Sequence, residues 1–295
     1  MGAPPSNLDP SVRARLVLGA SRLAVGVALT LGAVKLAAFL ATDSIALLGT
    51  LADSVLDAVA SALTLFANRA AVQPADEEHR FGHGKAEALA GLGQAAFVGG
   101  SALLLGVMAV QGLITPRAVV RPAVGMAAAA VAIVGTLGLV LYQRRVVRLT
   151  GALSIEGDLL HYTSDVALNL SVILALWLSS LGWAWADPVL GLAVAAFIAH
   201  GAWGIGRRAV DMLMDHELPA EDRARIEAIA HAEPEVRGVH DLRTRRSGGL
   251  VFVQLHIDLA AGMPLRQAHD IGERVEFAII EAVGAAEVLV HHDPV

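Results

Sequence analysis

The chain has 295 residues, of which 55% are apolar, with a mean hydropathy of +0.60, a net charge of -6 and no cysteine. Such an apolar excess is foreign to an ordinary soluble domain and makes the bilayer the first solvent to consider. An acidic balance without a basic stripe excludes a nucleic-acid partner. The lack of cysteine excludes disulfides and thiolate ligands, leaving any soft-metal chemistry to His nitrogen and carboxylate oxygen.

The apolar excess is uneven. A polar tail (1–15), with Pro4 and Pro5 and no cleavable signal, precedes a stretch rich in Ala, Leu, Val and Gly, whereas 213–295 alternates charged and apolar residues like a soluble domain. We therefore expect a tail over 1–15, a transmembrane domain over 16–208 and a soluble domain over 213–295. A helix needs about 20 residues to cross roughly 30 Å of hydrocarbon. Segments 16–41, 45–67, 86–114, 122–143, 157–181 and 187–206 qualify, predicting a six-helix all-α bundle. Arg13, Arg15, Arg22, Arg69, Arg80, Lys85, Arg144, Arg145, Arg148, Arg207 and Arg208 flank the termini and the even-numbered connections, against Arg117 and Arg121 on the other side. That bias predicts cytoplasmic termini and a cytoplasmic soluble domain. Trp177, Trp183 and Trp185 surround the connection before the sixth span, as interfacial anchors do.

The second span carries Asp53 and Asp57, four residues apart and hence on one helical face. The fifth repeats the device with His161 and Asp165. Two such faces meeting would offer one nitrogen and three oxygen ligands. Each mid-span carboxylate costs about 2.5–3.5 kcal/mol on an insertion scale, so the group needs a partner. An ion pair to Lys35 that only holds helices together is one reading, and it leaves the other carboxylates unexplained. A divalent cation answers all of them together, and a four-coordinate N/O pocket suits Zn²⁺. Carboxylates with a single His also release an ion more readily than an all-Cys or all-His cage. Imidazole titrates near neutrality, so protons compete for such a pocket, and metal/proton antiport is the expected mode.

Between the second and third spans, Asp76, His79 and His83 fall close together, with Gly82 and Gly84 allowing the backbone to bend around His83. Spacing alone leaves a shared metal ion and a solvated loop of mixed charge as equal readings. The C-terminal part reads as helix (219–233), strand (238–247), strand (250–259), helix (264–283) and strand (286–292), with Gly248-Gly249 as a hairpin turn. This αββαβ order predicts a small α+β unit, ferredoxin-like or metallochaperone-like, serving dimerisation or metal binding. Its candidates are His240, His256, His269, His291 and Asp293. His291 and Asp293 share a strand face, whereas His292 points the other way and is excluded. Surface histidines that do not converge are the alternative, and His216 and His231 belong to that class.

Taken together, these stretches resemble the cation diffusion facilitator family, in particular its bacterial zinc and iron efflux members. The likeness rests on Ala52-Asp53-Ser-Val-Leu-Asp57, on Asp76 through Glu87, on Leu160-His161-Tyr-Thr-Ser-Asp165, and on Gly238-Val-His240 with the terminal His291-His-Asp293-Pro. It implies that Asp53, Asp57, His161 and Asp165 form the transport site, and that Asp76, His79 and His83 form a loop site. It further implies that His240, His256, His269, His291 and Asp293 hold a binuclear cytoplasmic site, with Zn²⁺ as cargo and as structural or regulatory ligand. A homodimer in a bacterial inner membrane, alternating between inward-facing and outward-facing states, is also implied, with Lys85 and Asp215 as a charge interlock near the interface. Zinc-strict relatives often carry His where this chain has Asp53, so Fe²⁺, Cd²⁺ and Mn²⁺ are expected substrates as well. A membrane metalloenzyme would need a motif such as His-Glu-x-x-His, which does not occur. A membrane-anchored metal sensor or scaffold, the remaining alternative, has no use for three intramembrane carboxylates.

Overall fold

The structure, a computed structural model, describes residues 8–42, 45–115, 122–183 and 185–295. Six long helices come first: α1 (Pro10–Thr42), α2 (Ile45–Ala71), α3 (Lys85–Ile114), α4 (Pro122–Thr150), α5 (Leu153–Ser180) and α6 (Ala186–Leu213). They are followed by α7 (Ala220–His231), β1 (Gly238–Ser247), β2 (Leu250–Leu259), α8 (Leu265–Val283) and β3 (Ala286–Pro294). Among the described residues, Pro10–Ala41, Lys85–Ile114, Ala129–Thr150, Leu153–Ser180 and Ala186–Leu213 are long and apolar enough to cross a membrane. The sixth long helix, α2, carries Asp53 and Asp57. Their outer surface displays Leu40, Leu103, Met108, Val134 and Trp203, a surface suited to lipid rather than water. Trp183 and Trp185 stack at 5.5 Å between ring centroids, at the start of α6. Arg117 and Arg121, which entered the orientation argument, lie outside the described residues.

The helices overrun the apolar segments that announce them. Asp9 caps α1, its Oδ1 accepting the Ser11 N–H at 2.8 Å, and Pro10 supplies the first helical position, so the helix begins inside the polar tail. Helix α4 continues through Arg144, Arg145 and Arg148 until Gly151, and α6 runs past Arg207 and Arg208 to Leu213. Hydropathy measures the stretch that hydrocarbon accepts, whereas the backbone ladder continues until something breaks it.

Small residues bring α3 and α6 together. Gly99, Gly106 and Ala109 of α3 face Ala202, Ala195 and Gly191 of α6, an antiparallel seam of the kind that replaces hydrophobic drive inside lipid. In the soluble domain β1 pairs antiparallel with β2, and β2 pairs parallel with β3 through the α8 crossover. Val251, Val253, Leu255, Ile257 and Leu259 point from β2 toward Ile271, Val275 and Ile279 of α8, forming the core. The alternate residues Gln254, His256 and Asp258 therefore occupy the opposite face.

The soluble domain seats on the helix ends through the hairpin. Gly248 adopts φ +58°, and a Cβ on Gly84 would come within 2.5 Å of the Ser247 carbonyl oxygen, so both glycines are needed for the approach. Beside them Arg245 lies over the rings of Phe81 and Phe252, at 4.9 and 4.3 Å. Lys85 Nζ meets Asp215 Oδ2 at 2.9 Å, and Arg245 reaches Asp215 Oδ1 at 3.2 Å. Burial raises the Asp215 carboxyl, but the bonds from Lys85 and Arg245 outweigh it and hold the group below its ordinary value.

Candidate metal centres

Helices α2 and α5 cross where Asp57 faces His161 and Asp165, and ligand atoms of these residues lie within 4.8 Å of one another. His161 Nε2 stands 3.1 Å from Asp57 Oδ1 and 3.7 Å from Asp165 Oδ2. It is buried and makes no hydrogen bond of good geometry, so its contact with Asp57 is that of an ion pair. One nitrogen and two carboxylate oxygens are thus close enough together to hold an ion between them. Phe97 and Tyr162 enclose the imidazole, at 5.7 and 5.0 Å between centroids. Asp53, one turn before Asp57, is exposed and stands outside the group. Lys35 Nζ donates to Ser54 Oγ at 2.6 Å, next to Asp53 in sequence.

In the loop, Asp76 Oδ1 accepts the backbone N–H groups of Glu78 and His79, at 3.0 and 2.6 Å. The His79 bond, the largest effect on Asp76, holds its carboxyl below the usual range. Gly82 takes φ +75°, turning the chain so that His83 Nε2 reaches Asp76 Oδ2 at 3.3 Å while His79 Nδ1 reaches Oδ1 at 3.2 Å. His83 Nδ1 is buried without a hydrogen bond. Asp76, His79 and His83 thus form one compact donor set.

The third group lies on the outer sheet face. His240, His256 and His291 occupy a single register across β1, β2 and β3, with centroids 5.2 and 4.5 Å apart. Asp293 Oδ2 lies 2.8 Å from His256 Nδ1 and 3.3 Å from His240 Nε2, and Oδ1 lies 3.4 Å from His291 Nε2. The His256 bond, foremost, keeps the Asp293 carboxyl below its ordinary value. His269 stands apart on α8, exposed and 3.5 Å from Glu273. His292 points inward to α8, where Gly272 makes room for it, and burial pushes its pKa down.

Two carboxylates join this face that spacing did not single out. Asp258 Oδ1 lies 3.1 Å from His240 Nε2, and Asp241 completes a group with His240 and His256. Asp258 had a signal, because it follows His256 by two exactly as Asp293 follows His291. Asp241 had none: it sits at φ +50° in a β-bulge between His240 and Arg243.

The model of the cation efflux transmembrane domain matches residues 21–214, and that of the cation efflux protein cytoplasmic domain matches 218–295. The cation-efflux pump FieF of Shewanella oneidensis is 44% identical over 276 residues, covering 94% of this chain and 93% of that protein. FieF of Serratia proteamaculans is 44% identical over 281 residues, covering 95% and 94%. Among solved structures, the zinc form of CzrB is 30% identical, with a TM-score of 0.26 over 27% of this chain and 92% of that one. With both halves of the chain matched and relatives this similar along nearly its whole length, the protein is a multi-pass membrane protein of the cation diffusion facilitator family.

Proposed function

We propose that the chain exports divalent transition-metal ions, Zn²⁺ foremost, from the cytoplasm in exchange for protons. The observation that carries this reading is the buried, unbonded Nε2 of His161 between the carboxylates of Asp57 and Asp165. An ion there is bound by one nitrogen and two oxygens, with Asp53 one helical turn away to complete the shell when the helices shift. Oxygen-rich ligation also admits Fe²⁺, Cd²⁺ and Mn²⁺.

A metal-bound imidazole cannot hold a proton on the same nitrogen, so loading the ion expels protons and releasing it readmits them. The exchange is thereby built into the ligand set. Asp76, His79 and His83 would hold a loop ion. His240, His256, His291 and Asp293, with Asp258 beside them, would hold cytoplasmic metal, and His269 lies far enough from them to serve a second copy in a homodimer. Lys85 and Asp215 tie the helix ends to the soluble domain near that interface. In this reading the membrane domain spans 16–208 of a bacterial inner membrane, both termini and the metal-binding domain over 213–295 lie in the cytoplasm, and the exposed apolar helix surface meets the lipid bilayer.

The test is Zn²⁺ flux into proteoliposomes with and without an imposed pH gradient. Flux should rise with the gradient and fall at least about 100-fold in Asp57→Asn, more than the loss typical of outer-shell groups. Flux indifferent to both would end the proposal.

A further inference from the structure

Asp158 stands three residues before His161 on α5 and belongs to none of the three metal groups. Its side chain is completely buried, at 0% exposure. A lone carboxylate at such a place is costly and persists only with dedicated partners. Gln143 of α4 donates its Nε2–H to Asp158 Oδ2 at 2.5 Å. Ser61 Oγ of α2 and Gln94 Nε2 of α3 each approach Oδ1 at 3.4 Å. The Tyr162 hydroxyl bonds Ser61 Oγ at 3.1 Å and reaches the Ala24 carbonyl of α1 at 3.4 Å. One polar knot thus joins α1, α2, α3, α4 and α5. Its closeness depends on Gly157, where a Cβ would stand 2.7 Å from that of Gln94.

Two observations place the knot on the pathway. Helix α5 starts at Leu153, whose N–H is held by Glu87 Oε1 at 3.0 Å at the end nearest the soluble domain, so Asp158 lies between that domain and the ligands. Asp158 is fully buried, whereas the His161 side chain is 10% exposed and that of Asp165 36%. The ligand group is thus most closed at its soluble-domain end and more open beyond it.

We propose that this knot is the domain-side gate of the transport pathway, with Asp158 as the positioning residue that latches it. Before an ion can pass between the cytoplasm and Asp57, His161 and Asp165, α5 must part from Gln143 and Gln94. The inference rests on the transport-site reading. An apolar seal slides gradually, whereas a set of matched donors and acceptors either engages or does not, which gives the gate two discrete positions.

The chain has no cysteine, so Asp165→Cys supplies a single reporter thiol in full-length protein reconstituted in vesicles. A membrane-impermeant maleimide presented on the soluble-domain side should label it slowly. Adding Asp158→Leu removes both acceptor oxygens and leaves the Gln143 and Gln94 amides without their partner, and labelling from that side should accelerate about tenfold or more. Asp158→Asn is the conservative control: its oxygen still accepts from Ser61 and Gln94, its N–H₂ donates to Gln143 Oε1 once that amide turns over, and labelling should stay slow. Gln143→Leu, which loosens the knot without touching α5, should accelerate labelling in the same direction and serves if Asp158→Leu does not fold. Unchanged labelling in the folded Leu variants overturns the gate, and so does equal acceleration in Asp158→Asn, since matched donors and acceptors would then not be what holds α5. Zinc flux that survives Asp57→Asn would instead remove the transport-site reading, an outcome the labelling pattern does not mimic.

Discussion

His161 and His256 each stand beside carboxylates at ligand distance, yet they satisfy themselves differently. His161 Nε2 is buried and hydrogen-bonds nothing, whereas His256 Nδ1 bonds Asp293 at 2.8 Å on a partly open sheet face. Water can reach the sheet group, whose imidazoles and carboxylates rest against one another on the face opposite the hydrophobic core. Inside the helices water is scarce, so a polar nitrogen without a good hydrogen bond is costly there. In the function proposed above, the same residue types would serve two purposes: a stop on the transport pathway, and a docking place whose occupancy adjusts the protein.

The contrast breaks if the two groups respond alike. His161→Ala should lower zinc flux by about 100-fold or more, while His256→Ala should keep most of the flux and weaken only the cytoplasmic metal, by roughly 10–100-fold in affinity. Flux assays with equilibrium dialysis read both, and equal flux losses would erase the distinction. The loop group sharpens it at a smaller scale, because His83 is largely buried and His79 is half exposed. His83→Ala should cost more loop-metal affinity than His79→Ala, about tenfold against a few-fold. The reverse order, measured by dialysis in a His256→Ala background, would mean that burial does not set ligand strength.

The smallest effect belongs to the junction. Lys85 and Asp215 are both over a third exposed, so solvent screens the pair and Lys85→Ala should cost about 0.2–1 kcal/mol of stability. Because the folded Asp215 carboxyl lies below its ordinary value of 3.8, its contribution is present above that pH and fades as the pH falls through the folded value. Thermal melts of Asp215→Asn should therefore decline less on acidification than those of the native chain. Identical slopes would show that the bonds to Lys85 and Arg245 do not form in solution.

Much of this architecture was legible because helices and strands have fixed periods. Asp53 with Asp57 and His161 with Asp165 lie on shared faces by spacing alone, and the alternation of β2 and β3 puts His256 and His291 outward and His292 inward. Asp158 escaped notice because it reads as one acidic residue at the edge of an apolar run, and its three partners, Ser61, Gln94 and Gln143, are spread over three other helices.

By itself, the order of residues determined the membrane class, the six long helices, the αββαβ unit and which side chains share a face, since each of these follows from interactions within a few residues. Only the packed structure decided that α2 meets α5 at Asp57 and leaves Asp53 outside, that His240, His256 and His291 fall in one register, and that Asp158 closes a knot. Convergence of distant segments depends on how small residues let helices approach and on which strands pair, and neither leaves a periodic trace in the chain.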